Sequence, residues 1–201
     1  TYGIDVATGD EQVSTVAGDD IALAINGTDN GVAAQTLTIT DGDGTTQTAT
    51  VSANETAEDT VTDLNALTGV TATGSNTITL DTVAKTAHAD NGTVAITTDG
   101  QTLTVTLSAS AYTATQAADA IEAQYNAASS AVRAAMTMTR SGDDITFTNA
   151  TGDDFDTVIT GTANTTLTGN VTGNDTGATA VAFSGTNNAD TVVTGGSIAI
   201  E

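Results

Sequence analysis

Carboxylates in glycine-containing turns are the side chains of this sequence that could bind a metal ion. Asp41 and Asp43 alternate with Gly42 and Gly44, as at the start of a calcium loop, where clustered oxygen ligands hold a hard cation. An EF-hand would place a Glu at the twelfth position of the loop, and Ser52 stands there instead. Because Asp-Gly is also a preferred sequence of hairpin turns, we favour a turn over a calcium site here.

A second set of acidic residues lies about three quarters of the way along the chain. Asp153, Asp154 and Asp156 follow Gly152, and this segment is similar to degenerate calcium-binding nonapeptide repeats. The repeated pair of glycines typical of such repeats is missing. We therefore predict no metal and no other cofactor. Calcium is kept as an alternative, and its candidate ligands are Asp41, Asp43, Asp153, Asp154 and Asp156.

Residue types that carry catalysis are scarce in this sequence. His88 is the single histidine and cysteine is absent, which argues against a zinc site. A Ser-His-Asp triad would have to use His88, and Ser and Asp are too common here to identify its partners. Paired carboxylates could act as in a glycosidase, but aromatic residues, which line sugar clefts, make up only 3% of the chain. We predict that the protein is not an enzyme and has no catalytic residues.

The charge of the chain argues against two classes of partner. Lys and Arg together number 3 against 25 Asp and Glu, which gives a formal net charge of −22. No basic patch can form to neutralise phosphates, so we predict binding neither to nucleic acid nor to an anionic membrane surface. No apolar run approaches the roughly 20 residues of a membrane helix. With few aromatic residues and no disulfides, a core of small aliphatic side chains suits thin sandwiches and small α+β units.

The stretch from Gln35 to Leu80 has the pattern of a hairpin, a helix and a second hairpin. Apolar and polar residues alternate on both sides of the Asp-Gly turn, which predicts a β-hairpin. The segment 56–67 is predicted to be a helix lying on one face of this small sheet, and Thr56 with Asp59 is its capping signal. Its apolar residues recur at helical spacing, at Ala57, Val61 and Leu64. Two short runs, 70–73 and 78–80, close the unit.

A similar order of elements follows downstream. Thr93–Thr97 parallels Thr36–Thr40, and the Thr113–Gln116 pair parallels Thr56–Asp59, both at an offset of 57 residues. Such a period predicts a second copy of the unit, over residues 92–150. Its helix is predicted to be longer, over 115–135. The apolar residues of this helix recur at three- and four-residue steps, at Ala117, Ile121, Tyr125, Ala128, Val132 and Ala135.

These patterns together predict an α+β, β-dominated fold. Repeated small units of antiparallel strands, each with one helix packed on it, are followed by a C-terminal all-β segment over 151–201. A first β-rich domain is predicted over 1–85, with its unit at 32–83, and a second over 86–201. The strands of 151–201 could form a third layer or could be return strands that complete the two units.

Three short segments around the first predicted helix form a motif. They are Ser52–Ala57 at its start, Asn65-Ala66 near its end and Gly69–Ala72 after it. This order resembles the repeat motif of flagellins and flagellar hook-associated proteins, and the segment 17–27 is similar to the opening that often precedes it there. The resemblance covers residues 17–83, weakens over 93–150, where the Gly-Val-Thr-Ala part is missing, and does not extend over 151–201.

The resemblance implies a structural role at the bacterial surface. The chain would be the solvent-exposed, variable outer domain of a flagellar filament protein, extracellular, with neighbouring copies of the same protein as its partners. It would coat the filament and set its surface charge and hydration. Glycans are candidate modifications, either on Ser and Thr hydroxyls, as the resemblance implies, or at Asn-X-Thr tripeptides beginning at Asn26, Asn54, Asn91, Asn149, Asn164, Asn170 and Asn174.

Two other classes of protein stay open from the sequence. A module of a secreted adhesin or surface-layer protein, stiffened by calcium, would share the β-rich and acidic character. A carbohydrate-active enzyme or a lectin would need a cleft with paired carboxylates or exposed aromatic residues. Calcium-dependent thermal stability would favour the adhesin or surface-layer hypothesis over the flagellar one.

Overall fold

The fold is dominated by antiparallel β-structure. A computed structural model describes residues 30, 32–40, 44–86, 90–108, 111–161, 165–173, 181–186 and 189–200, with only the backbone described for 181–186 and 189–190. Strands account for 51% and helices for 20% of the structure, so the predicted β-dominated fold is confirmed. Several predicted features lie outside the described residues, namely Asp41, Asp43, His88 and the segment 17–27.

The described elements occur in the order β1 (Gln35–Thr40), β2 (Thr46–Val51), α1 (Ala57–Asn65), β3 (Ala72–Lys85), β4 (Gly92–Thr98), β5 (Gln101–Leu107), α2 (Ala114–Ala127), α3 (Ser130–Ala135), β6 (Thr137–Ser141), β7 (Asp144–Asn149), β8 (Phe155–Thr160), β9 (Thr166–Thr172), β10 (Val181–Thr186), β11 (Ala189–Thr194) and β12 (Ser197–Ile200). They form three sheets. One has the order β10-β9-β3-β7-β6, with β12 also paired to β3; the second has the order β11-β8-β4-β5; the third is the hairpin β1-β2.

A small core, here called the N-terminal core, lies between the β1-β2 hairpin, α1, the start of β3 and β12. The Thr56 hydroxyl accepts a hydrogen bond from the Asp59 N–H at 3.1 Å, which caps α1 as predicted. At the other end, the Asn65 side chain bonds both the N–H and the C=O of Ala72, at 2.7 and 3.0 Å. The buried residues of this core are Val32, Leu37, Ile39, Ala49, Val51, Ala57, Leu64, Val70, Ala72 and Ile198.

The strand β3 differs from the expected second hairpin. Residues 72 and 73 of the first run and all of the run 78–80 lie in this one strand, which continues through the turn-like sequence Gly74-Ser75-Asn76. Distant segments satisfy its backbone there: Ser75 pairs with Ser197 of β12, and Asn76 pairs with Asn149 of β7. Because these partners come from far along the chain, local composition could not reveal them. The strand carries residues of both cores, and the predicted domain boundary at residue 85 falls at its end.

The larger core, here called the sandwich core, lies between the two larger sheets and the helices α2 and α3. It includes Ile78 and Leu80 of β3, Val94 and Ile96 of β4, and Ile121 of α2. The five strands that the structure describes after residue 151 add to sheets begun earlier in the chain. β8 pairs with β4 and β11 with β8; β9 pairs with β3 and β10 with β9; β12 pairs with the start of β3. The described strands of this segment therefore extend sheets to which earlier strands of the chain belong.

The predicted long helix over 115–135 is two helices, and this prediction was wrong in that respect. Ala128 has an extended backbone (φ −67°, ψ 161°), and the Ser129 hydroxyl accepts a hydrogen bond from the Val132 N–H, which begins α3. A serine that can cap a new helix competes with continuation of the first. The expected apolar face is kept, since Val132 and Ala135 are buried. No helix in the described residues is long and apolar enough to cross a membrane.

Candidate functional site

The loop between β7 and β8, residues 150–154, lies where the two cores meet and is called the junction loop here. It folds around the buried side chain of Asn149, whose Oδ1 accepts hydrogen bonds from the N–H groups of Thr151, Gly152 and Asp153 at 2.9, 2.7 and 3.2 Å. The Nδ2 of Asn149 donates to the Asp99 carboxylate at 2.9 Å and to the Ala135 carbonyl at 3.1 Å. One side chain thus fixes the loop, the β4-β5 turn and the end of α3.

A second asparagine holds the other side of the junction loop. Asn76 lies opposite Asn149 in the β3-β7 pair and is also fully buried. Its Nδ2 donates to the carbonyl oxygens of Asp153 at 3.0 Å and of Thr194, the last residue of β11, at 2.6 Å. The chain then crosses from the sandwich core to β12 through Gly195 and Gly196.

Three carboxylates converge on the junction loop from separate parts of the chain. Glu58 is near the start of α1, Asp99 is in the β4-β5 turn and Asp153 is in the loop, and each offers an oxygen within 4.8 Å of the other two. These three residues are called the carboxylate cluster below. The Asp153 side chain accepts a hydrogen bond from the Asp99 N–H, which fixes the loop to the turn.

The turn that carries Asp99 is set by local sequence. Asp99 and Gly100 both have positive φ, 49° and 65°, as a two-residue type I′ hairpin turn requires, and Asp-Gly is a preferred sequence for it. Glu58 is placed by the Thr56 cap of α1, because the cap fixes where the first turn of the helix begins. Ordinary turn and capping signals therefore position two of the three carboxylates.

The carboxylate cluster concentrates negative charge. Burial raises the pKa of Glu58 above its usual range, and the neighbouring Asp99 and Asp153 raise it further. Arg140, by contrast, pairs with Asp119 and Glu122 on α2, at 2.7 Å each, and neither belongs to the cluster. Carboxylate oxygens grouped in this way are ligands suited to a hard divalent cation such as Ca²⁺.

Asp154, next to the cluster in sequence, makes a different contact. Its Oδ2 accepts a hydrogen bond from Asn30 Nδ2 at 2.8 Å, and the same amide donates to the Glu55 carbonyl at 3.1 Å. Burial raises the pKa of Asp154 to about 7, and the charges of Asp153 and Asp59 act in the same direction, whereas the hydrogen bond from Asn30 lowers it. This carboxyl group therefore connects the junction loop to the segment that begins the N-terminal core.

The structure separates the acidic residues that the sequence had grouped as calcium candidates. Asp153 belongs to the carboxylate cluster, Asp154 is bonded to Asn30 instead, and Asp156 lies in β8 outside the cluster, with its pKa raised by burial. Sequence reasoning missed Glu58 and Asp99 as members. Asp99 lies in an Asp-Gly turn like the one that drew attention to Asp41, but nothing local links Glu58 to either partner.

The Asn-X-Thr tripeptides that fit the N-glycosylation pattern differ in how exposed their Asn residues are. Asn149 is fully buried and bonded, so its side chain is not accessible to a glycan in the folded chain. Asn54 and Asn91 are exposed, and Asn170 is half-buried with a hydrogen bond to Asp81. Asn26, Asn164 and Asn174 lie outside the described residues.

No family model and no curated protein matches the chain. The function is therefore inferred from the architecture and from the carboxylate cluster.

Proposed function

We propose that this chain is a non-catalytic structural module of a bacterial surface assembly, and specifically the outer domain of a flagellar filament protein. The observation that carries the proposal is the structural role of the flagellin-like motif. Its Thr56 caps α1, its Asn65 bonds both backbone groups of Ala72, and its Val70 and Ala72 are buried in the N-terminal core. The motif residues specify a fold, as expected for a module selected for architecture.

The Glu residue of the motif has a similar structural role. Glu55 accepts hydrogen bonds from the Ser52 N–H at 2.6 Å and from the Thr60 hydroxyl at 3.0 Å. These bonds connect the end of β2 to the first turn of α1. The motif thus spans the chain from the hairpin, through both ends of the helix, to the start of β3.

The outer face of the β1-β2 hairpin suits a hydrated coat. Thr residues lie opposite one another in three successive pairs, Thr36–Thr50, Thr38–Thr48 and Thr40–Thr46. Cross-strand Thr pairs stabilise antiparallel strands, and their hydroxyls leave the face polar without adding charge. With a net charge of −22, the acidic residues keep copies soluble and set the surface charge of the assembly.

We also propose that the chain contains two copies of one hairpin-helix unit. The hairpin β1-β2 precedes α1, and the hairpin β4-β5 precedes α2. The first strands begin at Gln35 and Gly92, and the capping residues are Thr56 and Thr113, so both pairs are separated by the same 57 positions. Thr113 has its own capping box with Gln116. The copies then diverge, because α3 is inserted before β6 in the second.

The partners and location follow from this proposal. Neighbouring copies of the same filament protein surround the domain outside the cell, and the acidic surface disfavours nucleic acid and anionic membranes. Surface hydroxyls and exposed Asn residues such as Asn54 provide attachment points for glycans. No catalytic step is assigned to any residue.

Immunolabelling tests the flagellar proposal directly. Antibodies raised against the chain should decorate filaments sheared from the source cells, and mass spectrometry of those filaments should identify the same sequence. Labelling confined to the cell wall or to non-flagellar fibres would contradict the proposal. Pre-immune serum and cells from which the gene has been deleted are the controls.

The carboxylate cluster favours a second candidate, a calcium-stiffened module of a secreted adhesin or surface-layer protein. Glu58 lies on α1, which packs on the N-terminal core, and Asp99 lies in the turn between β4 and β5, which pack in the sandwich core. A cation held between them and Asp153 would therefore connect the two cores. Thermal melts with calcium and with a chelator, at matched ionic strength, separate the candidates. A calcium-specific rise in melting temperature that Asp153→Asn abolishes supports the second candidate. If NaCl at the same ionic strength raises the melting temperature as much as calcium does, the flagellar proposal stays in place.

A further inference from the structure

We draw no further inference here: the strongest candidate, the cluster of Glu58, Asp99 and Asp153 carboxylates where α1, the β4-β5 turn and the junction loop meet, belongs to the site already described, and no second observation in the described part of the chain points to a ligand there.

Discussion

Asn149 and Asp99, 50 positions apart, are joined by a 2.9 Å hydrogen bond from Nδ2 to Oδ2, and the other end of the same amide accepts three backbone N–H groups of the junction loop. A single buried side chain therefore holds together a turn and a loop that each contribute a carboxylate to the cluster. The geometry of the cluster depends on this residue although it is not itself acidic.

The first prediction concerns this amide. Asn149→Ala leaves the buried Gly152 N–H and its neighbours without their acceptor, and each unsatisfied buried group costs about 1–3 kcal/mol. We expect the free energy of unfolding to fall by about 2–4 kcal/mol, measured by urea denaturation. Asn126→Ala, at an exposed position of α2, is the matched control and should change it by about 0.5 kcal/mol or less. Equal effects of the two substitutions would contradict the assigned role.

The second prediction concerns repulsion in the carboxylate cluster. Because burial and the charges of Asp99 and Asp153 raise the pKa of Glu58, its ionised form is disfavoured in the folded state. Glu58→Gln should therefore raise the melting temperature at neutral pH and low salt. The gain should shrink at high salt, where the Debye length falls to about 3 Å at 1 M, and should disappear at acidic pH, where Glu58 is protonated.

The control for this substitution is on the same helix. Asp63→Asn removes one negative charge from an exposed position of α1 outside the cluster. It tests whether a gain comes from the cluster or merely from a smaller net charge. If both variants raise the melting temperature equally at low salt, the repulsion is a property of the whole chain.

The third prediction is a pH dependence that Asp154 causes. Its pKa is about 7 in the folded chain against a usual value of 3.8, so between these values the folded state binds more protons than the unfolded state. The unfolding free energy contributed by this group therefore falls as pH rises through that window. Asp154→Asn should remove this part of the pH dependence, which is seen as the difference between the two stability–pH curves. If the unfolding free energies of the original chain and of the Asp154→Asn variant differed by a constant amount from pH 4 to pH 7, the prediction would be contradicted.

The sequence predicted those features of the fold that depend on residues only a few positions apart. The Thr56 cap and the apolar face of Ile121, Val132 and Ala135 follow from spacing and residue type over a few positions. The break at Ala128 was missed because the helical periodicity continues across it. There, the capping preference of Ser129 prevails over an apolar pattern that is compatible with either one helix or two.

The pairings that build the carboxylate cluster were not predictable in this way. Glu58, Asp99 and Asp153 meet where α1, the β4-β5 turn and the β7-β8 loop come together. The pairings of β3 with β7 and of β4 with β8, which place these elements, join segments far apart in the chain. An antiparallel strand with alternating Thr and apolar residues fits many partners equally well, so the sequence pattern does not select its neighbour. Acidic residues in turns are also frequent in this chain, which left no local reason to group these three.

The fourth prediction concerns the close contact between β3 and the junction loop. A Cβ at Gly74 would collide with the carbonyl oxygen of Thr151, a backbone atom that cannot rotate away. We expect Gly74→Ala to lower the free energy of unfolding by about 3 kcal/mol or more, which is the upper end of the usual cost of overpacking. Gly142→Ala is the comparison, because that glycine has open space but a φ of 66°, and backbone strain alone costs about 1–2 kcal/mol. A smaller loss for Gly74→Ala than for Gly142→Ala would contradict the contact.

The last prediction tests whether the C-terminal strand belongs to the N-terminal core. Ile198 of β12 is 6% exposed and packs among residues of β1, β2 and α1, more than 130 positions earlier in the chain. Ile198→Ala removes buried methyl groups and should cost about 2–5 kcal/mol. Because β12 contributes no residue to the sandwich core, the loss should be local: amide hydrogen exchange should accelerate in β1, β2 and α1 while β4 and β5 keep their protection.

Ala199→Ser, at an exposed position of the same strand, is the control for Ile198→Ala and should leave exchange in both cores unchanged. Uniform acceleration throughout the chain would mean that the two cores unfold as one cooperative unit. Unchanged exchange in β1 and β2 would contradict the packing of Ile198 in the N-terminal core.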